Sequence, residues 1–201
     1  MASRPHIVRR LYNWVLSWAE HPRGSWALFG ISFAESSFFP IPPDPLLIAL
    51  GMSRRDKSWW YAFITSFASV LGGLFGYLIG AVLWGSVSGF FFDYIPGFSP
   101  DKFARFESSY LEHGFLIVFL AGFTPIPYKI ITIASGALGM PLGLFLMASL
   151  VGRSARFFLV AGLVKRYGAP MKTFLEKNFD RCAIAFAVLL VGGIAALKLI
   201  H

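Results

Sequence analysis

Residues 58–92 contain no Asp, Glu, Lys or Arg, and this run limits most narrowly what the chain can fold into. About 20 apolar residues suffice for a helix to cross a membrane, so the run predicts at least one crossing. The whole chain has the same character, because 56% of it is hydrophobic and only 14% is charged. Soluble domains carry about 25% charged residues. The composition therefore indicates an all-α polytopic membrane protein and excludes soluble enzymes, disordered chains and coiled coils.

The excess of positive charge indicates orientation rather than nucleic-acid binding. Eighteen Lys and Arg against ten Asp and Glu leave a net charge of +8. The cations cluster in short segments beside apolar ones, which is typical of cytoplasmic loops and of contact with anionic lipid. We predict a multi-pass membrane protein with the N-terminus and the basic loops in the cytoplasm.

Two proline clusters interrupt apolar stretches that are too short to cross alone. The arm at 26–39 has 14 residues, or about 21 Å of helix, against a hydrocarbon core of about 30 Å. Proline stops a helix because it lacks the amide donor and clashes with the preceding turn. An arm at 115–124 repeats the design, so the sequence predicts two re-entrant helical hairpins. Their structural breaks are Pro40, Pro42, Pro43, Pro125 and Pro127.

An internal repeat relates the two breaks. A shift of 85 places Phe38 and the Pro-Ile-Pro at 40–42 on Phe123 and the Pro-Ile-Pro at 125–127. The hairpins are expected to open from opposite sides, which makes this an inverted repeat, as in many transporters. The predicted organisation is one membrane domain: an amphipathic N-terminal helix (1–24), repeat 1 (26–92), a polar loop (93–114), repeat 2 (115–168), and a basic segment with a C-terminal transmembrane helix (169–201).

The two repeats differ in charge. Asp44 in the first break matches Lys129 in the second, while two glycines of the first repeat match Arg153 and Arg156. Charges at membrane depth cost several kcal/mol and are normally paired or face water. Together with Glu35, these residues form the predicted site.

The cations of this site suit an anionic ligand. Arg153 and Arg156 are three residues apart, so they share a helix face, and guanidinium groups suit bidentate contact with phosphate. The alternative is that they only neutralise the two acids, and both roles are compatible in alternating states. Lys129 offers a point charge to a headgroup or a partner for Asp44. Tyr128 is a candidate for headgroup binding, although interfacial or core packing is favoured.

The acids have open roles as well. Glu35 is a candidate proton carrier, and its alternatives are a salt bridge to Lys129 or an arginine, or a cap for exposed backbone. Asp44 follows prolines at a helix start, so we expect it to cap the helix near Pro45, with proton coupling as its second role.

Enzymatic chemistry finds little support in the sequence. The four histidines lie at termini or in loops and are not spaced for zinc, and the apolar serines have no intramembrane His partner. We therefore predict a protein that is not an enzyme and has no metal site and no cofactor.

Two motifs resemble those of the DedA family. Residues 33–44 read Phe-Ala-Glu-Ser-Ser-Phe-Phe-Pro-Ile-Pro-Pro-Asp and are followed by Gly51. Residues 123–129 read Phe-Thr-Pro-Ile-Pro-Tyr-Lys and are followed by Gly136. Their form is most similar to the YqaA-type branch of the wider SNARE-associated Golgi protein (VTT domain) group. The resemblance spans roughly residues 32–168.

The resemblance implies two facing re-entrant hairpins and flippase-type transport of lipid phosphates. Undecaprenyl phosphate is the bacterial substrate, and eukaryotic relatives scramble phospholipids. The family's proton-coupling acids correspond to Glu35 and Asp44, and its basic residue after the second break corresponds to Lys129. The chain departs from the pattern in its short Glu-to-Asp spacing and in Gly122, where many members have arginine.

The expected function is translocation of a lipid phosphate, polyprenyl phosphate or phospholipid, across the bacterial inner membrane, with protons as the candidate coupling ion. One alternative is a proton- or cation-coupled transporter of a small ion that binds at the two acids. Another is a membrane-organising protein that recruits a partner through its basic cytoplasmic face. The expected partner is an anionic lipid within the membrane, with no role for nucleic acid.

Overall fold

The computed structural model describes residue 14 and residues 17–94, 100–124 and 126–168. Within these residues the chain is helical and has no strand. Short 3₁₀ turns at Trp18–Glu20 and Arg55–Lys57 accompany the α-helices. The α-helices are α1 (Gly24–Ser37), α2 (Asp44–Ser53), α3 (Ser58–Tyr94), α4 (Pro100–Phe123), α5 (Tyr128–Ala137) and α6 (Leu142–Tyr167).

The predicted all-α class is confirmed, and the two longest predicted crossings are present as helices. Arg55–Ser86 and Leu142–Tyr167 are long and apolar enough to cross a membrane. The predicted C-terminal helix lies outside the described residues, and so does most of the predicted amphipathic helix at 1–24.

Proline and glycine set the helix boundaries. α1 ends at Ser37, three residues before Pro40, and α2 begins directly after Pro43. Pro127 and Pro141 immediately precede α5 and α6. Proline fits before or inside a first helical turn, where its missing amide would have had no intrahelical partner. At the far end of α6, Gly168 has a φ of 67°, a left-handed conformation that favours glycine.

The segment predicted as a polar loop at 93–114 is partly helical. α4 starts at Pro100 and continues to Phe123, so the arm before the second break has 24 residues. Only its second part, Tyr110–Phe123, is an apolar helix. Most of the charges that suggested a loop therefore lie on the first turns of a longer helix.

α3 is the central element of the fold. α1 and α5 both pack against it, α6 packs against α3, and α4 packs against α6. Two apolar cores result: one joins α1, α2 and the C-terminal half of α6, and the other joins α4, α5 and the start of α6. The two proline breaks, each between paired helices, lie beside the middle of α6.

Buried serines hold α1 against α3. Ser32 Oγ donates to the Thr65 carbonyl at 2.7 Å, and Ser37 Oγ donates to the Gly72 carbonyl at 2.9 Å. A Cβ at Gly72 would overlap the Phe33 carbonyl, so only glycine permits this approach. Small residues and interhelical hydrogen bonds are the usual means of helix association in membranes.

Candidate functional site

A polar cavity of about 300 Å³ lies where the two proline breaks meet α6. All five charged residues singled out in the sequence reach it. The cavity is lined by Glu35, Pro40, Pro42, Pro43, Asp44, Thr124, Ile126, Pro127, Lys129, Arg153 and Arg156. Of the predicted break residues, Pro125 lies outside the described residues and the other four line the cavity.

Arg153 connects α6 to the end of α1. Its Nη2 lies 2.6 Å from Glu35 Oε2, and the two side chains are only 5% and 12% exposed. Nε donates to Ser69 Oγ, and Nη2 also contacts Ser36 Oγ at 3.3 Å. Two of the three guanidinium nitrogens thus have hydrogen-bond partners, and Glu35 is the acid that pairs with Arg153 in this state.

Arg156 pairs with the other acid. Its Nε and Nη2 contact the two carboxylate oxygens of Asp44, each at 3.1 Å, which is the bidentate geometry. Nη1 donates to the Phe123 carbonyl at 3.3 Å, at the C-terminal end of α4. The predicted capping role of Asp44 is wrong: Asp44 is the first residue of α2, Pro43 occupies the N-cap position without a side-chain capping hydrogen bond, and the Asp44 carboxylate binds Arg156.

Lys129 spans the two breaks. Its Nζ donates to the Phe39 carbonyl at 2.7 Å, although 90 residues separate them. The proposed Lys129–Asp44 pair is therefore replaced by a bond to the backbone just after α1. Carbonyls beyond a helix end lack intrahelical partners and carry partial negative charge, so a cation stabilises them.

Helix termini add to the field in the cavity. α2 and α5 both begin at its wall, and a helix N-terminus carries partial positive charge. With Lys129, Arg153 and Arg156 against Glu35 and Asp44, the side chains leave one net positive charge. The cavity is thus suited electrostatically to an anion once a carboxylate moves aside or is neutralised.

Tyr128 does not line the cavity but lies beneath it. The side chain is 1% exposed, and its ring faces the Arg153 guanidinium, with 4.7 Å from Cζ to the ring centroid. The centroid of the Phe157 ring also lies 4.7 Å from Arg153 Cζ. The favoured packing role of Tyr128 agrees with this position, whereas direct headgroup binding by its hydroxyl does not.

We expect Tyr128→Phe to leave the free energy of unfolding within about 1 kcal/mol of wild type. Its buried hydroxyl has no hydrogen-bond partner in good geometry among the described residues, so its removal orphans no strong donor. Tyr128→Leu should lower stability more, by about 2 kcal/mol, because the aromatic face under Arg153 is lost. Thermal unfolding in detergent checks both; an equal loss of stability in Tyr128→Phe and Tyr128→Leu would mean that the hydroxyl, and not the ring, stabilises the site.

Sequence reasoning missed the serines that complete the site. Ser36 and Ser69 bond each other at 2.7 Å and both contact Arg153. They lie on different helices and were judged only as possible nucleophiles. The missing signal was their position: Ser36 follows Glu35 directly, and Ser69 lies one helical turn from the glycine that matches Arg153 in the repeat.

Gly122, the departure from the family pattern, packs directly on Arg153. A Cβ at Gly122 would lie 3.4 Å from the Arg153 amide nitrogen and 3.5 Å from its Cγ and Cδ. The space beside Gly122 is thus taken by the stem of Arg153, so an arginine from α6 occupies the region where an arginine at 122 would stand.

No group of three or more His, Cys, Asp or Glu side chains within the described residues is arranged to hold a metal ion. The site is an ionic network of side chains.

The exposed surface and the buried site together define the class of protein. Two helices are long and apolar enough to cross a membrane, and large aromatic side chains such as Trp60 and Phe67 are about half exposed. Such surfaces are rare in water and mark contact with lipid or protein. This is a helical membrane protein with a buried ionic site.

The VTT domain matches residues 41–166, which is more than half of the chain. The chain therefore belongs to the VTT-domain (DedA) family, as the motifs predict.

Similar proteins carry no assigned activity. An uncharacterized protein of Haemophilus influenzae is 36% identical over 185 residues, covering 92% of this chain and 95% of the relative. An uncharacterized protein of Histophilus somni is 34% identical over 179 residues, covering 85% and 90%. No solved structure matches the chain.

Proposed function

We propose that this protein translocates a lipid phosphate, either polyprenyl phosphate or a phospholipid, across the bacterial inner membrane. The observation that carries the proposal is the cavity of about 300 Å³ in which three cations outnumber two carboxylates. A lipid suits such a site because its chains stay in the bilayer while only the headgroup needs a polar path. Membership of the VTT-domain family supports the same class of substrate.

The proposed step is an exchange of carboxylate for phosphate. Arg153 and Arg156 are bound to Glu35 and Asp44 in this state, so an incoming phosphate competes with the carboxylates for the same guanidinium groups. Protonation of either acid would remove its charge and free an arginine. Proton uptake and phosphate binding are therefore expected to occur together, which makes protons the coupling ion.

The fold suits alternating access. We propose that α1–α2 and α4–α5 are the two re-entrant hairpins of an inverted repeat, with the basic segments in the cytoplasm. Broken backbone at membrane depth is tolerated where it is buried in protein or lines a polar cavity. Here both breaks line one cavity, as transporter sites between repeats do.

The rival functions use other parts of the molecule or a different ligand. A small-cation transporter needs carboxylates that are open to the cation, and both acids are here held by arginine at 2.6–3.1 Å. An organising protein would depend on exposed cytoplasmic cations such as Arg54 and Lys57 and not on the buried pairs.

Reconstituted liposomes separate these functions. The purified protein is placed with headgroup-labelled polyprenyl phosphate or, separately, labelled phospholipid, and sidedness is read by quenching. We expect wild type to accelerate exchange of one lipid class, Arg156→Gln to lose this acceleration, and the exposed control Arg54→Gln/Lys57→Gln to keep it. Soluble-ion uptake without lipid movement would support the small-ion transporter, and no transport of either kind would leave the organising role.

Asp44→Asn should weaken the response of translocation to a pH gradient, and Glu35→Gln should weaken it in the same way. In wild type, an imposed gradient is expected to change the rate at least threefold, because protonation of the acids frees the arginines. Asparagine at 44 is permanently neutral, so the Arg156 arm of the exchange no longer responds to protons. Rates are measured with and without a gradient, and Asp56→Asn is the exposed control. An unchanged gradient response in both Asp44→Asn and Glu35→Gln would argue against proton coupling.

A further inference from the structure

A second, apolar groove of about 420 Å³ runs along one face of α1, outside the ionic site. Trp14, Trp18 and Trp26 form its walls, and the first two rings meet edge to face with centroids 6.0 Å apart. The Trp26 side chain is 76% exposed. The lining of the groove is apolar except for Arg23 at one end.

Small residues form the floor of this tryptophan groove. Ala27, Gly30 and Ala34 follow each other at helical spacing on α1, so they make one smooth stripe. A Cβ at Gly30 would meet nothing within 4 Å, so the floor is open there. From Ala27 to Ala34 the stripe is about 10 Å long at the helical rise.

The two ends of the groove have different chemistry. At one end Arg23 directly precedes α1. At the other end Ala34 and Phe39 line the groove, while their neighbours Glu35 and Pro40 line the ionic cavity. At the end of α1, adjacent residues therefore line the apolar groove and the ionic cavity.

We propose that the tryptophan groove docks one lipid phosphate before it enters the ionic cavity. The hydrocarbon chain lies on the Ala27–Gly30–Ala34 stripe between the indole walls, and the phosphate stands beside Arg23. Tryptophan and arginine together are typical of the level where headgroups meet hydrocarbon. This inference rests on the proposed function, since the docked lipid is the substrate on its way to the site.

Photolabelling of the full-length protein in liposomes tests the docking site. The probes are a polyprenyl phosphate with a diazirine in its chain and the matching uncharged polyprenol, and label on α1 is quantified by mass spectrometry. We expect Gly30→Leu, which fills the floor, to lower α1 labelling at least fivefold. The control Gly85→Leu should stay within twofold of wild type, because Gly85 is also open to 4 Å but lies on α3, away from the groove.

The charge is tested separately. Arg23→Gln should lower labelling by the phosphate at least threefold and leave labelling by the polyprenol within twofold of wild type. Equal labelling of wild type, Gly30→Leu and Gly85→Leu would overturn the docking site, because only bulk bilayer lipid would then touch α1. Equal loss of both probes in Arg23→Gln would overturn the phosphate's place beside Arg23.

The same samples keep the two proposals apart. Arg156→Gln should retain α1 labelling while translocation is lost, since it leaves the groove intact. If wild type moves no lipid but its labelling still depends on Gly30 and Arg23, the docking site stands and the translocation proposal falls. If translocation depends on Arg156 but labelling is unchanged by Gly30→Leu, the translocation proposal stands and the docking site falls.

Discussion

Arg153→Gln is expected to reduce lipid translocation at least tenfold and to lower the free energy of unfolding by about 3–5 kcal/mol. The large cost follows because Glu35, 12% exposed, would lose the guanidinium 2.6 Å away and remain as an uncompensated buried charge. Ser36 and Ser69 would lose their cationic partner as well. Translocation is measured in liposomes and unfolding in detergent.

A double variant separates stability from function in this pair. Glu35→Gln/Arg153→Gln removes both charges, so it should recover most of the lost stability while transport stays low. Recovery of transport together with stability would mean that Arg153 only neutralises Glu35 and does not bind the phosphate. The exposed substitution Arg54→Gln is the control for loss of a positive charge alone.

Gly80→Ala is expected to lower the free energy of unfolding by about 3 kcal/mol or to prevent folding. A Cβ at Gly80 would overlap the Ile133 carbonyl of α5, and at Gly136 it would overlap the Tyr77 carbonyl of α3. The crossing of α3 and α5 is thus backbone on backbone, with no flexible side chain to give way. The change in Tm in detergent, together with the yield of monodisperse protein, measures the effect.

Gly85→Ala is the matched control for this crossing. It lies five residues further along α3, where an added Cβ meets nothing within 4 Å, so it should leave Tm within about 2 °C of wild type. Equal tolerance of alanine at 80 and 85 would mean that α3 and α5 do not pack as closely as described.

The proline breaks made much of the fold predictable. They fixed the ends of α1 and the starts of α2 and α5 to within a few residues, because proline acts on its own helix turn. The start of α4 was missed, since charged residues on the polar turns of a helix look like a loop in composition. The repeat and the re-entrant course of the hairpins stay predictions.

The site was predictable as a set of residues but not as a set of pairs. The five charged residues of the predicted site lie in apolar segments. Each is costly at membrane depth without a partner, so the fold was expected to bring them together. Which acid meets which base depends on the register between helices: Arg156 and Asp44 are 112 residues apart, and local spacing carries no information about their contact. For the same reason Asp44 was predicted to cap its own helix. Its neighbours in sequence offer a carboxylate only the backbone amides of that helix as partners.

The hydrogen bond from Lys129 to the Phe39 carbonyl has a mechanical consequence. Each proline segment connects the two helices of its own half, yet this bond joins the first break to the second. Arg156 adds a second tie, because it holds both Asp44 of the first break and the Phe123 carbonyl beside the second. Neither break can move far from the other unless these bonds open, so we expect any rearrangement of one half to require the other half to rearrange with it.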